Sequence, residues 1–563
     1  MKKHPASRPL RGVVLPLALV TLGQAAVAQQ PPTAGGQLLQ IPPSAAPPKA
    51  TPEIRIEQST APAAAASGQV RILVKTLQVK GAYLYSEVEL IALTGFVPGS
   101  ELTLADLQGM AAKITQHYRS RGYFVAQAYV PAQDINDNAV TILVSEGRYG
   151  SVTLRNSTNL SDRVAQSSLE GLNSADPIVL APLENRLLLL ADVPGVSVKS
   201  TLAPGASLGT SDLIVDVTPG QRVSGSIDAD NAGNRYTGEY RIGATVNLNN
   251  PLGLGDVASL RVLTSGEGLK YARASYQLQV GRGQVGVAYS WLGYSLGKEF
   301  ASLLAHGTAQ VASVYGRYPL LRSRNNSMYA QLAFDAKKFH DQADATGSVT
   351  DKRSHVLMAS LFGDHRDGWG GGGANSYSLT WASGQLDIQT PAALAADSIA
   401  ARTNGHFDKL SFSAMRAQSL GGPFSVYAAV GGQIASKNLD VSEKMELGGV
   451  NAVRAYPEGE AYADEGILAT LEVRYDLPRF SANMPGQMQL VAFVDAGRVT
   501  VNKNPWTEGP NHRTLSGAGV GVNWADPGNF LVRASYARKL GSEPAISAPD
   551  KSGRFWIQLV KYF

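Results

Sequence analysis

The 563-residue chain contains no cysteine. It therefore cannot build a disulfide framework or a thiolate metal site, although this absence does not by itself fix its compartment. The net charge of +5 is small for this length, and part of it lies in the first eleven residues. Because no basic stripe follows in the remainder, we expect no nucleic-acid partner.

Motifs for metal or nucleotide chemistry are also missing. The sequence has no HExxH zinc pattern and no P-loop pattern, and its eight histidines are scattered. The run Gly370–Gly373 lacks the following Lys-Ser/Thr of a phosphate loop, so we interpret it as a flexible turn. We predict that the chain is not an enzyme and holds no metal or cofactor.

Long hydrophobic runs are scarce. The apolar run 13–22 is too short to cross a bilayer as a helix, which takes about 20 residues, and no other candidate follows. It lies between a basic N-terminus and the A-x-A site Ala26-Val27-Ala28, which is typical of a secretory signal peptide. We assign 1–28 to this signal. Three destinations remain open for the exported protein: the periplasm, the medium, or an outer-membrane barrel.

Residues 29–70 are rich in Pro, Ala, Gln and Ser. Such a composition cannot bury enough apolar surface to offset the entropy of ordering the chain. The only apolar cluster, Gln37–Ile41, is short and is broken by Pro42. We therefore expect a disordered or extended linker without an ordered helix.

Two tandem units of ~75 residues follow, and both predict the order strand, helix, helix, strand, strand. The first occupies 71–147. Its first helix is predicted by a capping box that starts at Ser86, and its second by the apolar stripe that runs from Leu104 to Tyr118. The second unit occupies 148–220. The pair resembles tandem POTRA domains, and Ile114–Tyr123 is similar to the first POTRA domain of two-partner secretion transporters.

From 221 to 563 the pattern changes to runs of ~10 residues in which apolar and small or polar residues alternate. Val285, Val287 and Tyr289, for example, alternate with Gly286 and Ala288. Sixteen such runs end on the aromatic Phe563, which is typical of an outer-membrane barrel. This aromatic end also resembles the signal that the barrel-assembly machinery reads. The predicted fold is α+β POTRA modules followed by an all-β, 16-stranded antiparallel transmembrane barrel.

Loop lengths give an independent check on the strand count. Short connections such as Gly281-Arg282 alternate with long segments at 294–307, 339–352, 388–404 and 498–513. If the first strand rises from the modules, the long segments are external, and the segment carrying Arg454 is the sixth external loop. The cation Arg454 therefore lies in this loop, and the carboxylate Asp495 lies in a strand-like run. Because each charge would be costly alone in a lumen, we interpret them as partners that pin an inward-folded loop to the barrel wall.

The same residues carry a second resemblance. Val453-Arg454-Ala455-Tyr456 resembles the VRG(Y/F) loop motif of two-partner secretion transporters, the haemolysin secretion/activation family. The segment that contains Phe493, Asp495 and Gly497 resembles that family's FxDxG strand motif. The resemblance implies that Arg454 and Asp495 meet inside the pore. Ala455 stands where the family usually has glycine, so a positive φ at this position would be strained.

The predicted function is secretion of one large partner protein, an adhesin or haemolysin-like client, which the POTRA modules recognise and the barrel exports. The other predicted partners are outer-membrane lipid and, during biogenesis, the barrel-assembly machinery. The expected location is the Gram-negative outer membrane, with the modules in the periplasm. Two alternatives remain: a barrel-assembly insertase of the same superfamily, and a passive porin.

Overall fold

The computed structural model describes residues 31–43, 53–56, 70–207, 209–481 and 483–563. The predicted signal peptide lies outside this part of the chain. None of the helices in these residues is both long and apolar enough to cross a bilayer. Two short elements precede the modules: helix α1 (Ala34–Leu39) and strand β1 (Glu53–Ile56).

The first module forms a small core between two helices and short strands. Its elements are β2 (Ile72–Val74), β3 (Thr76–Lys80), α2 (Glu87–Thr94), β4 (Ser100–Leu102), α3 (Leu104–Ser120), β5 (Gln127–Tyr129) and β6 (Ala139–Ser145). The sheet order is β3-β6-β5, with β2 and β4 paired separately. The Ser86 hydroxyl accepts a hydrogen bond from the Glu89 N–H and caps α2, and the apolar stripe of α3 buries Leu107, Ile114 and Tyr118. The helices therefore begin where the sequence predicts.

The second α/β unit repeats this order. Its elements are β7 (Arg148–Asn156), α4 (Asp162–Leu169), α5 (Leu180–Ala191), β8 (Val196–Pro204) and β9 (Thr210–Pro219). Strand β1 pairs in parallel with the edge of β8, which gives the sheet order β1-β8-β9-β7. The disordered or extended linker predicted for 29–70 therefore includes one extended strand, β1, whose backbone pairs with β8 of the second unit.

Sixteen antiparallel strands close into a barrel, as predicted. The strands are β10 (Val223–Asp230), β11 (Arg241–Asn249), β12 (Val257–Thr264), β13 (Leu269–Val280), β14 (Gly283–Ser295), β15 (Ala305–Arg322), β16 (Asn326–Ala343), β17 (Ser348–Asp367), β18 (Gly373–Ile388), β19 (Gly405–Ser419), β20 (Phe424–Ala435), β21 (Glu465–Asp476), β22 (Gln487–Thr500), β23 (His512–Asp526), β24 (Phe530–Lys539) and β25 (Gly553–Tyr562). The predicted long loop at 339–352 is wrong, because β16 and β17 keep pairing up to Ala343 and Ser348.

The barrel closes through β10 and β25, which share only the five pairs from Ser226–Tyr562 to Asp230–Gln558. Phe563 follows directly after β25. Its backbone N–H donates to the Gly225 carbonyl at 3.1 Å, and its carboxyl-terminal oxygen accepts from the Gly225 N–H at 2.9 Å. The last residue of the chain therefore extends this closing pair by one step.

Polar contacts fix the second unit to the barrel. The Arg322 guanidinium, at the end of β15, donates two hydrogen bonds to the Asp192 carboxylate, at 2.7 and 3.0 Å. The Asn159 amide donates to the Asn250 carbonyl, in the turn after β11, at 2.8 Å. These contacts place the second unit against the barrel end where the short turns lie.

Helix α1 lies inside the barrel, so the prediction that this stretch has no ordered helix is wrong. Ala34 is fully buried in an apolar cluster with the lumen-facing Leu292 and Tyr294. The Ala34 N–H donates to Asp341 at 2.8 Å, and the Arg241 guanidinium donates to the Gln40 carbonyl at 2.8 Å. Composition missed this helix because its stability comes from tertiary contacts inside the barrel. Gly35 and Gly36 lower the helix propensity, but they permit close approach to Ser442 and Tyr462.

Candidate functional site: a loop folded into the lumen

The connection between β20 and β21 enters the barrel instead of covering it. We call residues 436–464 the lumen loop. Its buried side chains Leu447, Val453, Ala455 and Tyr456 form one apolar cluster with Phe493 and Leu515 of the wall and with several neighbours. An external loop with this many apolar residues can fold inward because the lumen offers them a surface to bury against.

Arg454, at the tip of the lumen loop, contacts the wall at two carboxylates. Its Nε and Nη2 donate to Oδ2 and Oδ1 of Asp495, each at 2.8 Å, and its Nη1 donates to Oε1 of Glu472 at 2.8 Å. The guanidinium carbon lies 3.4 Å from the centre of the Phe493 ring. The structure therefore brings together the two charged residues that the sequence predicted as partners, and it adds Glu472.

Neighbouring side chains form hydrogen bonds with the remaining polar atoms of Arg454, Asp495 and Glu472. Asp495 is fully buried and also accepts from the Thr470 hydroxyl at 3.0 Å. Glu472 accepts from Nε and Nη2 of Arg474 through its second oxygen, at 2.8 and 2.6 Å. The Arg454 carbonyl accepts from the Trp556 indole at 2.7 Å. Removing one member of such a buried pair costs about 3–5 kcal/mol, because the other charge is left uncompensated.

The residues beside Arg454 pack against small positions of the wall. Ala455 does not have a positive φ, so the strain considered for an alanine at this position is absent. A Cβ atom added to Gly517 of β23 would lie 2.5 Å from the Ala455 Cβ. The Tyr456 hydroxyl donates to the Glu543 carbonyl at 3.0 Å. Gly497 similarly leaves room for the Leu447 side chain. Val453 is fully buried.

Several further ion pairs of the lumen loop escaped the sequence analysis. Glu460 is fully buried and bonds to Arg513 of β23 and to the Ser547 N–H. Asp440 and Glu443 bond to lysines of the wall. The partners lie 53 to 106 residues apart in the sequence, so no local spacing connects them. The abundance of carboxylates in 440–464 was the one available signal.

Two carboxyl groups of the lumen loop, Glu446 and Glu458, interact with each other, and neither forms an ion pair with a cation among the described residues. The Val450 N–H donates to Glu458 at 2.8 Å, and the Gly459 N–H donates to Glu446. Burial, followed by the repulsion from Glu458, raises the pKa of Glu446 well above its usual value. Burial raises the pKa of Glu458 to about 7. The docked loop therefore favours the protonated form of this pair.

We expect docking of the lumen loop to weaken as the pH rises. A released Glu458 would ionise near its ordinary pKa of about 4.3, whereas the docked one holds its proton up to about pH 7. The stabilisation of the docked loop by protonated Glu458 is therefore complete below about pH 4, and it is lost as the pH rises through 7. A fluorophore on an introduced Asn451→Cys should have lower anisotropy at pH 8 than at pH 5.

The double variant Glu446→Gln/Glu458→Gln should remove this difference, whereas Glu508→Gln, at an exposed position, should keep it. Equal anisotropy at both pH values in the otherwise unmodified protein would contradict the assignment.

In the described residues, no group of three or more His, Asp or Glu side chains is placed to hold a metal ion.

Comparison with known proteins agrees with this architecture. Residues 209–524 match the family described as haemolysin secretion/activation protein ShlB/FhaC/HecB, and residues 72–147 match the ShlB-type POTRA domain. The solved structure of CdiB from Escherichia coli has the same fold, with a TM-score of 0.67 at 20% identity over 90% of this chain and 93% of that one. These features define the class of outer-membrane transporters that combine POTRA domains with a barrel.

Two curated relatives extend the comparison. The heme/hemopexin transporter protein HuxB of Haemophilus influenzae (strain 86-028NP) is 31% identical over 476 residues, which cover 83% of this chain and 82% of HuxB. The outer membrane transporter CdiB of Dickeya dadantii is 23% identical over 75% of each chain. The chain belongs to the haemolysin secretion/activation family. It is an outer-membrane transporter of two-partner secretion, with its POTRA region in the periplasm.

Proposed function

We propose that the chain exports one large adhesin or haemolysin-like client and performs no catalysis of its own. The observation that carries this proposal is a lumen occupied by α1 and the lumen loop, which contact each other through Gln40 and Tyr462 and are each held by polar contacts to the wall. A passive porin for small solutes would not need two segments that occupy its lumen. A pore that exports an extended polypeptide does need them, because it must be closed when no client is passing through.

The modules supply the first contact. We propose that 71–147 and 148–220 act as tandem POTRA domains, which bind an unfolded client by strand addition. Backbone hydrogen bonds then give affinity with little demand on sequence. The client next displaces α1 and enters the lumen, and folding outside the cell favours outward movement. Contact of Arg454 with Asp495 and Glu472 sets the conducting state in this scheme.

Two further partners belong to the same proposal. The exposed apolar residues of the barrel, among them Leu332 and Trp381, face outer-membrane lipid. The aromatic end at Phe563 serves the barrel-assembly machinery during insertion, before the residue completes the contact with Gly225.

Deletion of the gene tests the proposal against its alternatives. We expect the loss of one large protein from the cell surface or medium, with other outer-membrane barrels unchanged in a quantitative proteome. Restoring the gene on a plasmid should return that protein. A general fall in outer-membrane barrels would instead identify an insertase. An unchanged exported proteome, with reduced uptake of small solutes, would identify a porin.

A further inference from the structure

Three lysines face the lumen from one side of the barrel, within four consecutive strands: Lys337 on β16, Lys352 on β17 and Lys409 on β19. We call them the lysine strip. Their side chains are only 12%, 17% and 16% exposed. Lysine side chains are rarely this buried unless their charge is paired.

The ion-pair partners of the lysine strip come from the lumen loop. Glu443 bonds to Lys337 at 2.7 Å and to Lys409 at 2.9 Å, and Asp440 bonds to Lys352 at 2.6 Å. The Lys409 ammonium also donates to the Glu443 carbonyl at 2.9 Å. Two carboxylates of the lumen loop thus neutralise most of the charge of three cations on the wall.

Two carboxylates of the wall lie near the strip but are not bonded to it. Asp335 and Asp341 lie on β16, and the described ion pairs of the lysine strip go to Glu443 and Asp440 instead. Asp341 is engaged elsewhere, since it accepts from the Ala34 N–H and from the Tyr294 hydroxyl at 2.7 Å. Withdrawal of the lumen loop would therefore leave the lysine strip without a bonded carboxylate among the described residues.

A row of cations on a low-dielectric wall concentrates an attractive field for anions in the space in front of it. The loop that covers the strip is itself acidic, with six carboxylates against three cations in 436–464. We propose that the lysine strip binds acidic stretches of the client during passage, and that Asp440 and Glu443 occupy this site as built-in substitutes until the client arrives.

This inference rests on the proposed function, because it requires a client in the lumen. It adds a chemical preference to that function: the exported chain carries Asp or Glu clusters that exchange with the loop carboxylates. The exchange keeps the number of ion pairs nearly constant. Opening the pore then does not leave the lysine strip uncompensated.

The test uses the purified full-length chain in planar bilayers, with an Asp440→Asn/Glu443→Gln variant that frees the lysine strip. A second variant, in which a Gly-Ser linker replaces 440–460, opens the lumen further. The probes are poly-glutamate and poly-lysine of equal length, added on the periplasmic side. We expect poly-glutamate to reduce the current at a concentration at least tenfold lower than poly-lysine, and we expect high salt to weaken this effect.

Adding Lys337→Gln, Lys352→Gln and Lys409→Gln should remove the preference. Lys338→Gln should leave it intact, because Lys338 is exposed on the opposite face of β16. Equal block by both polymers, or a preference that survives the triple substitution, would overturn the inference. The assay contains no client, so such a failure would leave the outcome of the gene deletion, and with it the proposed function, unaffected.

Discussion

Replacing Arg454 with alanine is expected to reduce client secretion at least tenfold while the barrel stays inserted. The substitution leaves Asp495 buried with the Thr470 hydroxyl as its remaining side-chain donor, and it leaves Glu472 with Arg474. Loss of one partner of a buried pair costs about 3–5 kcal/mol, which is enough to release the tip of the lumen loop. The barrel strands do not pair through Arg454, so folding should survive. Immunoblots of the culture medium measure secretion, and heat-modifiability on gels measures barrel assembly.

Two matched variants sharpen this test. Arg454→Lys keeps the charge but cannot reach Asp495 and Glu472 together in the planar geometry of a guanidinium. We expect it to secrete an intermediate amount. Arg498→Ala removes an exposed arginine from the outer face of β22, and it should secrete like the wild type. Wild-type secretion by Arg454→Ala would show that the contact has no part in transport.

Gly517→Ala is expected to lower secretion several-fold by pushing the loop tip off the wall. Its new Cβ would lie 2.5 Å from the Ala455 Cβ, so the two methyl groups would clash. Ala455→Gly removes the obstructing methyl group. The double variant should therefore recover most of the secretion that Gly517→Ala loses, and Ala455→Gly alone should change little. Secretion assays on the four proteins form a double-mutant cycle.

Gly509→Ala is the control for this cycle, since an added Cβ there meets no atom within 4 Å. If Gly517→Ala secretes normally, the tip does not need its close contact with β23. If the double variant is as poor as Gly517→Ala, the effect comes from the nearby Arg538 carbonyl, at 3.2 Å from the added Cβ.

The sequence predicted the barrel because each strand repeats one elementary pattern. Val285, Val287 and Tyr289 face outward, while Gly286 and Ala288 face the lumen, and alternation of this kind survives without any knowledge of tertiary contacts. The pair Arg454–Asp495 was predictable for a different reason. A charge inside a lumen needs a partner, and the two motifs that resemble the family's pointed to Arg454 and Asp495.

What the sequence could not predict depends on distant partners. Helix α1 is six residues long, which is too short to be stable alone, and its stability comes from Asp341, Arg241 and the buried wall. The lysine strip is similarly invisible, because Glu443 meets Lys337 across 106 residues. Composition averages describe local preference, and these contacts arise only after the barrel has closed.

The strands differ greatly in length around the barrel. A strand needs about 9–11 residues to cross the hydrocarbon layer, yet β15, β16 and β17 have 18, 18 and 20 residues, whereas β10 and β12 have 8 each. The wall formed by β15, β16 and β17 therefore extends further along the barrel than the wall formed by β10 and β12. We therefore expect a polypeptide that leaves the lumen to contact this extended wall on one side of its path.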